Sequence, residues 1–149
     1  MDEDKFYLKI AYALSGCQLV EQQLKLYITS AFDLVRKCVG SRMTFNIRGE
    51  DHDNSSLERL IETFRKLTTN EKLVRDLRKF KDERNFLSHK GIAHCLDYED
   101  QLFYSTAEEF ERRLEAIKIE AERLRLELHK EAGNFIGHLY FEQIPDVSK

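Results

Sequence analysis

Arg84, Asn85 and His89 are the residues of this chain whose types and spacing best suit chemistry. They fall in one hexad, Arg84-Asn85-Phe86-Leu87-Ser88-His89. Around it Leu73, Leu77, Phe80 and Leu87 recur at helical spacing, and Arg84, seven residues after Leu77, is in phase with them. At about 100° per residue its guanidinium points into the middle of an apolar stripe. A cation there is costly unless it is paired or faces a polar cleft. Asn85 and His89, four residues apart, share a face beside it. These groups could cleave RNA without a metal. RNA brings its own nucleophile, the 2′-OH, and an imidazole titrating near neutrality can remove that proton or protonate the leaving 5′-oxygen. An arginine can hold the phosphate and stabilise charge building on its oxygens. An amide can orient the imidazole or bond the phosphate. The same residues also have a purely structural explanation. Arg84 would then pair with a core or interface carboxylate, and His89 would sit at a helix end that favours a cation.

Arg-Asn-x-x-x-His near the end of a helix, in a small all-helical chain with a long first helix, resembles the HEPN superfamily. Its signature is an arginine, four to six residues, then a histidine, often with Asn, Asp or His directly after the arginine. Here the gap is four and the polar residue is Asn85. The resemblance implies a helical ribonuclease or toxin-like domain working as a homodimer, with two motifs meeting across the interface and acting on one phosphodiester. It implies Arg84, Asn85 and His89 as the catalytic set, RNA as substrate, and an antitoxin such as a nucleotidyltransferase-type partner. Some such toxins carry a tyrosine two residues after the histidine, which that partner modifies; here the position is Gly91. Other members are silent binding or dimerisation modules, which is the alternative reading for this chain.

The remaining candidates are weaker. Asp51-His52-Asp53 has no second ligand cluster at suitable spacing and reads as a solvated loop, so no metal site is expected. His94-Cys95 is too isolated for zinc or for a Cys–His nucleophile, and His129 and His138 have no catalytic neighbours in sequence. Lys72, Arg75, Arg78, Lys79, Lys81 and Lys90 make the third helix the most basic element. They could face RNA, or form a solvated face balanced by Glu71, Asp76, Asp82 and Glu83. Arg112, Arg113, Lys118, Arg123 and Arg125 alternate with glutamates and read as i,i+4 pairs.

Composition sets bounds. The 149 residues suit a single domain, here residues 1–144 with a disordered tail at 145–149. Charged residues at 34% and one proline fit a helix-rich protein, and a net charge of −3 argues against broad nucleic-acid binding. None of the six glycines forms a phosphate-binding loop, so no nucleotide cofactor is expected. Cys17, Cys38 and Cys95 lack C-x-x-C spacing, and Cys17 and Cys38, in phase on one apolar helix face, read as core thiols in a reducing cytoplasm. No segment is long and apolar enough to span a membrane, and the acidic start is no signal peptide.

The elements that must position the hexad follow from periodicity. Ile10, Cys17, Leu24, Ala31 and Cys38, beside Phe6, Ala13, Val20, Tyr27 and Leu34, give two heptad seams on a first helix over about 4–39, ended by Gly40. Residues 41–54 read as a mobile loop. A capping box at Ser55 and Glu58 starts a second helix through Leu67, and Asn70 caps a third over 71–90, stopped by Gly91. After a connector over 92–104, Ser105 and Glu108 cap a fourth with the stripe Phe110, Leu114, Ile117, Ala121, Leu124 and Leu128. Gly133 is placed to end or kink it, with a short fifth helix over 134–143 before Pro145 ends order. The expected fold is all-α: an antiparallel, HEPN-like four-helix bundle with a C-terminal helical extension and an apolar surface wide enough for dimerisation.

Overall fold

The computed structural model describes the backbone of residues 3–91 and 101–141, and the side chains of 4–89 and 108–139. Four α-helices form an all-α bundle: α1 (Glu3–Val39), α2 (Leu57–Leu67), α3 (Glu71–Phe86) and α4 (Gln101–Phe141). A 3-10 turn at Gly49–His52 precedes α2, and a π-helical turn at Leu87–Gly91 follows α3. The His94-Cys95 pair and the tail at 145–149 lie outside the described residues.

The heptad seams of α1 are the core. Phe6, Ile10, Ala13, Cys17, Val20, Leu24, Tyr27 and Ile28 are all buried, against Phe110, Leu114, Ile117, Ala121, Leu124 and Leu128 of α4. Gly40 ends α1 at φ +55°, a left-handed conformation that glycine adopts without a Cβ clash. The pairs α2/α3 and α3/α4 are antiparallel, as expected. Arg78 and Lys81 meet Glu62 and Glu58, and Arg113 and Arg123 meet Glu83 and Asp76. The two long helices instead run side by side in the same direction. Their contacts climb together: Phe6 on Phe110, Lys9 on Glu111, Gly16 on Ala121, Tyr27 on Phe135, Lys37 on the carbonyls of His138 and Leu139.

Several expected boundaries move, each for a local reason. Ser56, not Ser55, caps α2, its Oγ accepting from Arg59 N at 3.3 Å. Ser55 is occupied in closing the preceding turn, its N–H donating to the His52 carbonyl at 3.0 Å. Asn70 caps α3 as expected, accepting from Leu73 N at 3.0 Å. Regular α-helix ends at Phe86 rather than Lys90, where the π turn begins. Ser105 lies inside α4, which already starts at Gln101. Gly133 neither ends nor kinks it, and no separate fifth helix forms. The glycine penalty of about 1 kcal/mol is outweighed there by buried Ala132, the edge-on Tyr27–Phe135 contact and the Lys37 bonds beyond.

The 41–54 segment is not a free loop. It folds back along α1, with Phe45 edge-on to Phe32 at 6.1 Å and Arg36 Nη2 donating to the Ile47 carbonyl at 2.9 Å. His52 is 9% exposed, with its Nε2 3.1 Å from Thr63 Oγ1 and its ring against Phe32. Asp51 and Asp53 are exposed, as a solvated loop would have them. Gly49 is buried flat on Thr29, where any Cβ would collide with backbone. Gly49→Ala should therefore lift the segment off α1 and cost about 1–3 kcal/mol of stability. Urea unfolding of the two proteins checks this, and an unchanged midpoint would show that the turn is not seated.

Candidate functional site

Arg84 does point inward, as its phase requires. Leu73, Val74, Leu77 and Phe80 bury one side of α3, and Leu87 continues it at 0% exposure. The guanidinium emerges where α3 passes α1. Its Nη2 lies 3.3 Å from Glu21 Oε1, with the two side chains 37% and 19% exposed. Sequence reasoning anticipated a carboxylate but did not identify Glu21. The available signal was an acid four residues after Cys17, at the border of the α1 stripe. The contact engages one nitrogen of five N–H donors, and a third of Arg84 remains open to solvent.

Cys17 lies beneath this pair. Burial pushes its thiol up to about 11; Arg84 opposes that shift and Glu21 adds to it. This thiol is protonated at neutral pH and is no nucleophile. Cys38, which the heptad placed in the core, is exposed at the end of α1.

Asn85 and His89 are both exposed. In a continuous α-helix Arg84 and His89 would point about 140° apart. The π turn from Leu87 advances about 80° per residue, which brings them to roughly 90°. Unwinding thus swings the imidazole back toward the arginine. The end of α3 is anchored just before it. Arg113 makes a two-pronged contact with Glu83 at 2.8 and 3.0 Å and lies 3.3 Å over the Phe86 ring, which itself packs on Phe110. Arg84 thus meets Glu21 of α1, while Asn85 and His89 are exposed on the turns that end α3.

Three of the basic side chains of α3 are paired, Lys79 has no ion-pair partner among the described residues, and the side chain of Lys90 lies outside them. Lys72 meets Asp76, Arg78 meets Glu62, and Lys81 lies near Glu58 and Asp82. Asp76, which burial alone would raise, is held low by hydrogen bonds from Arg123 and Lys72. Arg75 has no ion-pair partner among the described residues. Among the described residues the α4 arginines form no i,i+4 pairs. Arg125 and Arg123 bond at i,i−3, and Arg113 and Arg123 also reach across to α3. No His, Cys, Asp and Glu cluster able to hold a metal occurs among the described residues, and no described helix is long and apolar enough to cross a membrane. No family model, curated protein or solved structure matches the chain.

Because the Arg84–Glu21 pair is partly solvated, its loss should cost near 1 kcal/mol, rather than the 3–5 kcal/mol of a fully buried pair. A double-mutant cycle of Arg84→Met and Glu21→Gln by chemical denaturation measures it. A coupling above about 3 kcal/mol would mark a structural pair. Arg84→Met also removes the charge that favours the Cys17 thiolate, so Cys17 should react with thiol reagents still more slowly than in the native chain. Folding stabilises the neutral form of Cys17, whose ordinary value is 9.0. Its contribution to stability is therefore full below pH 9 and falls as pH rises above that. A thiol titration that places Cys17 at its ordinary value would contradict this.

Proposed function

We propose that the chain is a metal-independent endoribonuclease of the kind that serves as the toxin of a toxin–antitoxin or defence module, working as a cytoplasmic homodimer. One observation carries this reading. An arginine held by a single Glu21 contact, with donors to spare, is followed by an exposed amide and an exposed imidazole at the point where the helix unwinds. In the proposed reaction His89 takes the 2′-OH proton, and the 2′-oxygen attacks phosphorus. The P–O5′ bond breaks, and His89 of the second copy protonates the leaving 5′-oxygen. Arg84 exchanges its one Glu21 contact for the phosphate oxygens, and Asn85 orients the imidazole. The product is a 2′,3′-cyclic phosphate and a free 5′-hydroxyl. Regulation would fall to a separate antitoxin. A nucleotidyltransferase that modifies a tyrosine is poorly matched to Gly91.

A second reading, a silent dimerisation module, has its own support. Leu8, Tyr12, Leu19 and Leu26 are 51–62% exposed, together with Ile119 and Leu126 of α4. Tyr12, Leu19 and Ile119 line a groove of about 520 Å³ floored by Gly16 and Ala121. Between residues 8 and 30 this sector of α1 also holds Ala11, Ser15, Gln18, Gln22, Thr29 and Ser30, and no charged side chain. Interface cores are depleted of charge in this way. Leu19 and Glu21, two residues apart, point about 160° from each other. A dimer formed through this face would therefore hold the two hexads apart, not together.

Two measurements separate the readings. Spin labels at Asp82→Cys or Gln18→Cys, in a Cys38→Ser, Cys95→Ser background, report which face pairs. Short inter-copy distances at position 82 fit the nuclease, and short distances only at position 18 fit the silent module. Cleavage should persist in excess EDTA, fail on DNA and on RNA lacking the 2′-OH, and vanish in Arg84→Ala and His89→Ala with the fold intact. Complete inhibition by EDTA, restored by Mg²⁺ or Mn²⁺, would refute Arg84 and His89 as the catalytic pair.

A further inference from the structure

A groove of about 610 Å³ opens where α2 turns into α3. Arg65, Arg75 and Arg78 line it with Thr69, Val74 and Glu71. Arg65 Nε and Arg78 Nη2 share one carboxylate, Glu62, at 3.2 and 2.9 Å. Arg75 has no ion-pair partner among the described residues. Three guanidiniums thus meet two carboxylates, Glu62 and Glu71, leaving a local surplus of one positive charge in a chain whose net charge is −3. Most of their N–H donors remain free to meet an anion.

The groove is aligned with the candidate site. Glu71, Arg75, Arg78, Asp82, Asn85 and His89 follow one another at spacings of four, three, four, three and four residues. As far as Asn85 that spacing draws a straight line along one face of α3; the π turn from Leu87 then carries His89 off the line, toward Arg84, and all six side chains are exposed. Asp82 interrupts the line, with Lys81 Nζ at 4.0 Å. From Arg75 to His89 the helix axis advances about 20 Å, which a stacked single strand at roughly 3.4 Å per nucleotide covers in about six nucleotides.

We infer that the Arg65–Arg75–Arg78 groove binds the phosphodiester backbone of the RNA strand whose neighbouring segment lies at Asn85 and His89. This inference rests on the endoribonuclease reading for the identity of the ligand. The sequence-independent contact is electrostatic. Each guanidinium that neutralises a phosphate releases condensed counterions, so affinity falls as salt rises.

The test separates binding from cleavage. The probe is a fluorescent twelve-nucleotide single-stranded RNA carrying 2′-methoxy groups throughout, titrated with the full chain at several salt concentrations. The double variant Arg75→Ala/Arg78→Ala should weaken binding about tenfold and lower the slope of log K against log salt by about 1–2. Single Arg75→Glu should weaken it at least as much as Arg75→Ala, and Arg75→Lys should keep most of it. These side chains are solvent-exposed, so melting temperatures should barely move. A four-nucleotide probe should bind weakly and respond little to either variant. Unchanged affinity in the double variant and in Arg75→Glu overturns the groove, whatever the cleavage assay gives. A groove-dependent affinity without cleavage of native RNA keeps the groove and removes the nuclease. Absence of RNA binding by the native chain overturns both.

Discussion

The close, parallel contact between the two long helices is the constraint on which the rest of the molecule depends. α1 and α4, of 37 and 41 residues, are each about 55–60 Å long. They approach closely where Gly16 faces Ala121, so that even one added methyl group would meet the Ala121 Cβ at 3.0 Å. On either side of this point larger side chains fill the contact, Phe6 on Phe110 at one end and Tyr27 on Phe135 at the other. The shorter hairpin of α2 and α3 then has one place to sit. It closes the third side of the core with Leu60, Ile61, Phe64, Leu77 and Phe80, all at most 2% exposed.

This arrangement explains why a cation tolerates a core phase. α3 crosses α1 near its end, so the last inward position before the π turn lies at the rim of the core and not in its middle. Arg84 therefore keeps contact with water while its stem lies among apolar neighbours. Glu21 supplies one opposing charge there, which is enough to hold the guanidinium in place and too little to occupy all its donors. The Cys17 thiol below records the same balance, with burial the larger influence and the two charges acting in opposite directions.

Charge is distributed by face, not by segment. The outer side of α1 is uncharged over more than twenty residues, while the outer line of α3 sets Arg75 and Arg78 between Glu71 and Asp82 and ends in Asn85. On α1, Leu19 of the uncharged face points about 160° from Glu21, which faces α3. A surface suited to another apolar surface and a surface suited to an anion are thus kept apart. The mode of self-association and the fate of the hexad are therefore linked questions.

Much of the fold was legible from residue spacing. The seams of α1, its stop at Gly40, the Asn70 cap and the α4 stripe all follow from local rules that tertiary packing did not override. Short-range signals failed where a neighbour already used the group. Ser55 was closing a turn, Gly133 was held within α4 by contacts on either side, and the polar 41–54 segment was fixed by a glycine seated on Thr29. The inward phase of Arg84 was fixed by sequence alone, because a helix has one period. What that phase meets was not, because Glu21 lies sixty-three residues earlier and only packing brings it within 3.3 Å. The parallel run of α1 and α4, the surplus arginine at the α2–α3 turn and the swing of His89 by the π turn are likewise tertiary results. Each depends on which surfaces meet, and spacing along one helix carries no information about its neighbour.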